Sequence, residues 1–213
     1  MNELRISEIF HSLQGEADTV GWPTVFVRLT GCPLRCVYCD TAYAFKGGEL
    51  LSIDSILGTV AAHKAHYVTV TGGEPLAQPN CLPLMTGLCD TGYRVSLETS
   101  GAMPINAVDP RVNIVMDIKT PASAESHRND LNNLSCLKPD DQLKFVICDR
   151  ADYDWSVDFI REHALTGKHP ILFSPSYQQL PPADLADWIL ADKLNVRFQM
   201  QLHKSIWGDD PGR

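Results

Sequence analysis

The sequence predicts an α/β protein: an open, partial TIM-like barrel of about six parallel strands with flanking helices. Three observations carry this. Short β-branched runs alternate with amphipathic stretches of helical length, the pattern of parallel βαβ units. About six such runs are too few to close an eight-stranded barrel. Chemically loaded residues also gather just beyond the C-terminal ends of the runs, where ligand sites lie in such folds.

The elements follow in order. TVFVRL (24–29) is an apolar strand that stops at Gly31. A helix is expected over 52–64, with Ile53, Ile56, Leu57 and Val60 on one face. YVTVTGG (67–73) reads as a buried strand halted by glycines, and 80–92 as a helix ended by glycine. Strands are expected at 93–101, 111–119 and 141–148, the last two joined by the polar stretch 120–140. A helix over 153–165 and a strand over 169–176 come next. Pro181 and Pro182 open a further helix that carries Leu185, Trp188 and Ile189 at helical spacing. Residues 195–203 complete the set as the last strand. No repeat or long linker interrupts the series, so residues 1–213 read as a single domain.

Hydrophobic residues make up 44% and charged residues 21% of the chain, an ordinary globular balance. The formal net charge of −8 argues against a broad nucleic-acid or membrane surface, which would be basic. The opening MNELRISEIFHSLQGE lacks the basic-then-apolar profile of a signal peptide, and no apolar stretch reaches membrane-spanning length. The expected location is the cytoplasm. There, seven cysteines are expected to stay reduced. Cys81, Cys89 and Cys148 read as small buried hydrophobes, and Cys136 similarly.

Cys32, Cys36 and Cys39 are different, because they fall within eight positions of the loop GCPLRCVYCDT (31–41). Thiolates so clustered in a reducing compartment point to a soft metal or to catalysis. Structural zinc closes a tetrahedron with four protein ligands, which Asp40 or His11 would have to complete. A [4Fe–4S] cube normally takes four cysteines, so three leave one iron open to a small molecule. Tyr38, between two of the thiols, is placed to shield a cluster edge from water.

The C-x3-C-x2-C spacing of CPLRCVYCD (32–40), with an aromatic residue before the last cysteine, resembles that of radical S-adenosylmethionine enzymes. TGGEP (71–75) is similar to their second signature, in which the backbone and glutamate, here Gly73 and Glu74, bind the methionine amino group. Gly72 and Gly73 would let the backbone approach that ligand closely. Further stretches resemble one branch, the 7-carboxy-7-deazaguanine synthase family: EIFHSLQGE (8–16), VFVRLTGCPLRCVYCDT (25–41), VTGGEPL (70–76), ETSG (98–101) and LHKSIWGDDPGR (202–213).

That resemblance implies a lyase of queuosine biosynthesis. It turns 6-carboxy-5,6,7,8-tetrahydropterin into 7-carboxy-7-deazaguanine with loss of ammonia. It implies a [4Fe–4S] cluster, S-adenosylmethionine and Mg²⁺ as cofactors, an external flavodoxin-like electron donor, and a homodimer. The open iron would chelate the methionine moiety, and an electron would break a carbon–sulfur bond. The adenosyl radical so formed would take hydrogen from the substrate. Thr41 resembles the Mg²⁺ ligand; by itself it also suits a helix or turn cap. Leu13, Gln14 and Gly15 resemble the loop that reads the pterin edge. Arg28 resembles a carboxylate clamp, and a charge amid VFVRLTG needs an acidic partner in any case. Thr71 and the C-terminal carboxylate of Arg213 resemble further substrate contacts. For S-adenosylmethionine the matching positions are Tyr38, Cys39, Asp40, Gly73, Glu74, Asp117, Ile118, Lys119, Ser174, Pro175, Ser176 and Tyr177. The roles of His203 and Lys204 stay open. Two rivals remain at this point: another small radical enzyme such as a glycyl-radical activase, and a zinc-binding interaction module.

Overall fold

A computed structural model describes residues 2–208 and Gly212. Its strands are β1 (Glu3–Leu13), β2 (Pro23–Leu29), β3 (Glu49–Ser52), β4 (Tyr67–Gly72), β5 (Arg94–Thr99), β6 (Asn113–Ile118), β7 (Gln142–Ile147), β8 (Ile171–Pro175) and β9 (Arg197–Phe198). Its α-helices are α1 (Ile53–Ala62), α2 (Cys81–Asp90), α3 (Arg150–Glu162), α4 (Pro182–Ala191) and α5 (Leu202–Trp207). One open nine-stranded sheet runs β3-β1-β2-β4-β5-β6-β7-β8-β9. It is parallel from β2 through β9, with β1 antiparallel at one side of that run. The expected partial barrel is therefore present.

Two faces of this sheet differ in chemistry because side chains alternate along each strand. One face carries Val25, Val27, Val68, Val70, Val95, Leu97, Met116, Phe145 and Phe173, all buried. They pack with Ile56 and Val60 of α1, Leu84 and Leu88 of α2, Tyr153 and Val157 of α3, and Leu185 of α4 in one core. The opposite face carries Arg28, Thr69, Thr71, Ser96, Glu98, Asp117, Gln142 and Lys144 in register from β2 to β7. A closed barrel would fill that space with apolar layers. Here the chain after β1 crosses it instead. Gln14 reaches Thr69 on β4, Glu16 reaches Lys144 on β7, Asp18 accepts from Gln142, and the carbonyl of Ala17 accepts from Arg197 of β9.

The structure departs from the sequence-based expectation in three ways. First, β1 and β3 are not expected at all. In β1 the register shifts between Ile6 and Glu8, so the outer-face residues pass from even positions (Leu4, Ile6) to odd ones (Ile9, His11). A bulge of this kind destroys the period-two signature. Second, α3 begins three residues before the expected start, where the Asp149 side chain caps it by accepting from Asp152 N–H. Third, the expected strand 195–203 pairs only at Arg197–Phe198, and Leu202 N–H then bonds the carbonyl of Gly15 (3.0 Å). His203 and Lys204 consequently sit on the short helix α5. The stretch 120–140 contains 3-10 turns at Pro121–Ser123, Ser126–Arg128 and Leu131–Ser135.

Candidate active site

The cysteine loop leaves the C-terminal end of β2 and is held on every side. Gly31 N–H bonds Ala44 O (2.8 Å), Cys39 N–H bonds Cys36 O (3.2 Å), and Leu34 N–H points at Cys32 Sγ (3.4 Å). Arg35 donates through its guanidinium to the carbonyls of Cys32 (2.7 Å) and Leu34 (2.6 Å), and lies over the Phe45 ring at 4.4 Å. The loop's outer side is tied to the 120–128 segment by Arg35 N–H on Glu125 (2.6 Å) and Val37 N–H on Ser123 O (3.1 Å). None of the three cysteines is in a disulfide. Burial pushes their thiols up, that of Cys36 to about 11, and a bound metal would favour the thiolates.

The glycine turn after β4 packs directly on the cysteine loop. A Cβ on Gly73 would lie 2.1 Å from Gly31 O, and one on Gly72 would lie 2.3 Å from Leu29 O. What comes so close is the base of the cysteine loop, and Glu74 N–H completes the junction on Gly31 O (2.8 Å). These glycines lock the two signatures together. The Glu74 side chain likewise turns away from the cavity. It is fully buried, and its carboxylate accepts from Thr99 Oγ1 (2.9 Å), Leu76 N–H (3.1 Å), and both N–H (2.8 Å) and Oγ (2.5 Å) of Ser100. It pins the ETSG turn.

A cavity of about 490 Å³ opens on the polar face, at the C-terminal ends of the strands. Cys32, Cys36, Cys39, Tyr38, Asp40 and Thr41 line it from the loop, and Leu13, Gln14 and Gly15 from the segment after β1. Arg28, Thr71, Gly73, Asp117, Lys119, Ser176 and Tyr177, also from the sequence-based set, line it as well. Four members of that set do not line it: Glu74, Ile118, Ser174 and Pro175. Ile118 and Pro175 face the apolar side in alternation with Asp117 and Ser176, and Ser174 is 1% exposed. Arg213 lies outside the described residues. His203 and Lys204 line the cavity too, with the His203 ring packed so close on Gly15 that a Cβ there would lie 2.0 Å from Nδ1.

Glu16, Glu98 and Lys144 also line the cavity, and the sequence reading assigns them no role. Lys144 Nζ pairs with Glu16 Oε2 (2.5 Å) and Asp117 Oδ2 (3.5 Å), while Lys119 Nζ pairs with Asp117 Oδ1 (3.2 Å). Burial disfavours the charge on Lys144, but Glu16, Asp117 and Glu98 outweigh it and hold the ammonium firmly protonated. Burial, then the nearby Glu16, push the carboxyl of Glu98 above its ordinary 4.5. A charge inside an apolar strand marks Arg28 in VFVRLTG, and the same signal was available for Lys144 in QLKFVI. Arg28 itself gives its Nε to Glu8 (2.7 Å), which also accepts from Tyr43 OH (2.7 Å). Its two outer nitrogens make no further hydrogen bond among the described residues. Thr41 does not cap the 3-10 turn that follows it, and its hydroxyl donates to Asp40 Oδ1 (2.8 Å).

Comparisons with known proteins agree with this geometry. The radical SAM superfamily profile matches residues 26–121, from β2 past the cysteine loop and glycine turn to the end of β6. A crystal structure of QueE from Escherichia coli superposes with a TM-score of 0.80 at 23% identity, covering 95% of this chain and 96% of that one. SuiB of Streptococcus suis, bound to its precursor peptide, gives 0.59 at 15% identity over 83% of this chain and 48% of that one. The cysteine loop on this half-barrel defines a radical S-adenosylmethionine enzyme, acting with an iron–sulfur cluster. Curated relatives narrow the class. The 7-carboxy-7-deazaguanine synthase of Chlorobaculum tepidum is 47% identical over 97% of this chain and 96% of its own length. The same-named proteins of Koribacter versatilis and Thermoplasma acidophilum are 43% and 38% identical over at least 96% of each chain. The chain belongs to the 7-carboxy-7-deazaguanine synthase family.

Proposed function

We propose that this chain converts 6-carboxy-5,6,7,8-tetrahydropterin to 7-carboxy-7-deazaguanine with loss of ammonia. The observation that carries the reading is the shared cavity. Its rim holds three free thiols on one loop, and its wall, the polar sheet face, holds Arg28, Thr71 and a chain of buried charges. Cys32, Cys36 and Cys39 fit a cluster with one open iron. Of the two side chains that could complete a zinc site, His11 does not line the cavity and lies against the His63 ring at 5.7 Å. When bound, the cluster and S-adenosylmethionine supply a carbon-centred radical that abstracts hydrogen from the substrate.

The chain's own residues bind, orient and exclude water. Tyr38 puts a buried, unpartnered hydroxyl beside the cysteines, where an adenosyl group would satisfy it. Ser176 and Tyr177 stand at the cavity's far side for the same ligand. Arg28, oriented by Glu8, offers its two outer nitrogens to the substrate carboxylate as a planar fork. Thr41 and Asp40 supply neutral and anionic oxygens, a donor set that suits Mg²⁺ bridged to the substrate. The reading also includes an external flavodoxin-like donor, a homodimer and a cytoplasmic location. No described helix is long and apolar enough to cross a membrane.

The test is anaerobic reconstitution with iron and sulfide, then incubation with S-adenosylmethionine, Mg²⁺, a reductant and the carboxy-tetrahydropterin. The expected products are 7-carboxy-7-deazaguanine and ammonia. A brown, cluster-loaded protein that cleaves S-adenosylmethionine yet leaves the pterin untouched overturns the reading.

A further inference from the structure

Lys119 is one of the residues matched to S-adenosylmethionine, and the structure mounts it against the cysteine loop. It follows β6 directly, and one side-chain amide clamps its backbone on both sides. Its N–H donates to Asn129 Oδ1 (2.9 Å), and its carbonyl accepts from Asn129 Nδ2 (2.9 Å). The next residue, Thr120, is fixed by its hydroxyl on Asp152 (2.9 Å). The Lys119 side chain reaches the cavity but is only 11% exposed, so water screens its charge weakly. Nζ stands 3.2 Å from Asp117 Oδ1 and 5.8 Å from the centroid of the Tyr38 ring, in the loop between Cys36 and Cys39. Burial disfavours the charge, but Asp117, then Tyr38 and Cys36, outweigh it and hold the ammonium protonated.

Burial raises all three cysteine thiols, and Lys119 works against that burial at Cys32, Cys36 and Cys39 alike. Arg28 does the same at Cys39, while Asp117 opposes Lys119 at Cys36 with the smaller effect. Arg35, which also lies against the loop, is exposed, so solvent screens its charge. Behind Lys119 the buried charges alternate in sign through Asp117, Lys144 and Glu16. The row presents its positive end to the cysteine loop.

We propose that Lys119 is a fixed cation that raises the reduction potential of the iron–sulfur cluster through space, with Asn129 as the positioning residue that holds it there. The inference rests on the cluster part of the reading above and is independent of the pterin. One electron from the external reductant takes [4Fe–4S]²⁺ to [4Fe–4S]⁺, with no bond made or broken. That electron adds negative charge to a site that three thiolates already make anionic. A cation held nearby, shielded from water, favours the reduced form. Asp117 offsets part of this field, so the two neighbours act on the potential with opposite sign.

The test is a mediated redox titration of the cluster-loaded protein without S-adenosylmethionine, read by electron paramagnetic resonance of the reduced cluster. Lys119→Met is expected to lower the one-electron equilibrium constant for reduction by at least about 10-fold, a fall of about 59 mV. Lys119→Arg keeps the charge and should recover most of that shift. Asp117→Asn should move the potential upward. Asn129→Ala should move it in the direction of Lys119→Met, by less. A merely structural role would not give shifts of opposite sign. Iron and sulfide content and far-UV circular dichroism check loading and fold. A loaded Lys119→Met at the wild-type potential, or Asp117→Asn that leaves the potential unchanged or lowers it, overturns the inference. Should Lys119→Met hold no cluster, the sign of the Asp117→Asn shift decides. Wild-type protein that takes up no cluster sinks the reading of the cysteine loop instead, so the two failures are distinct.

Discussion

At the residue scale, the site is set by a few contacts with no slack. Gly73 is the tightest against backbone, since even a methyl group would collide with Gly31 O at the root of the cysteine loop. Gly73→Ala is expected to cost about 3 kcal/mol or more and to lower iron content after reconstitution; urea denaturation and iron analysis read the two effects. Glu98 gives a pH-dependent signature. Its folded-state pKa lies above the ordinary 4.5, so the folded chain binds the proton more tightly than the unfolded one. Stability is therefore lost as pH rises from 4.5 through the raised value, and no penalty remains below 4.5. Glu98→Gln removes that titration. Its Tm should exceed wild type by at least about 2 °C at neutral pH, with the gap closing in acid; scanning calorimetry between those limits checks the sign.

At the element scale, what positions the site is how strand ends are tied to the turns beyond them. Asp152, in the first turn of α3, is buried and accepts from Thr120 Oγ1 (2.9 Å), Ala122 N–H (2.9 Å) and Cys148 N–H (3.2 Å). It anchors the 120–123 turn, whose Ser123 carbonyl in turn holds Val37 of the cysteine loop. Asp152→Ala strands several buried donors and is expected to destabilise by about 2–4 kcal/mol. It should also speed hydrogen exchange at Val37 and Ala122 ahead of the sheet. These ties explain what was legible in the sequence. The parallel strands and α1, α2 and α4 announce themselves through local periodicity and proline or glycine stops. β1 does not, because its bulge switches the positions on the outer face from even to odd. β9 shrinks to two residues because the chain beyond it bonds Gly15, a partner nearly the whole sequence away.

At the scale of the whole molecule, chemistry and stability occupy opposite faces of one sheet. The apolar face with α1 to α4 carries the core, and none of the three cluster cysteines belongs to it. Removing the metal should therefore leave the far-UV circular dichroism unchanged. Metal binding adds stability by mass action, so the chelated protein should melt below the reconstituted one. A chelated protein that loses its secondary structure would refute this division between the faces.

The sequence alone determined the alternation of strand and helix and the three-thiol loop, because both are written in neighbouring residues. It also determined that chemical groups crowd the strand ends. Only the tertiary structure decided which of those groups meet. Glu16 and Lys144 are 128 positions apart, and Gln14 and Glu98 are 84 apart. Whether an amide faces a ligand or spends itself on a hydroxyl and a carboxylate of the sheet, as that of Gln14 does, depends on register across seven parallel strands, and no local pattern records that register.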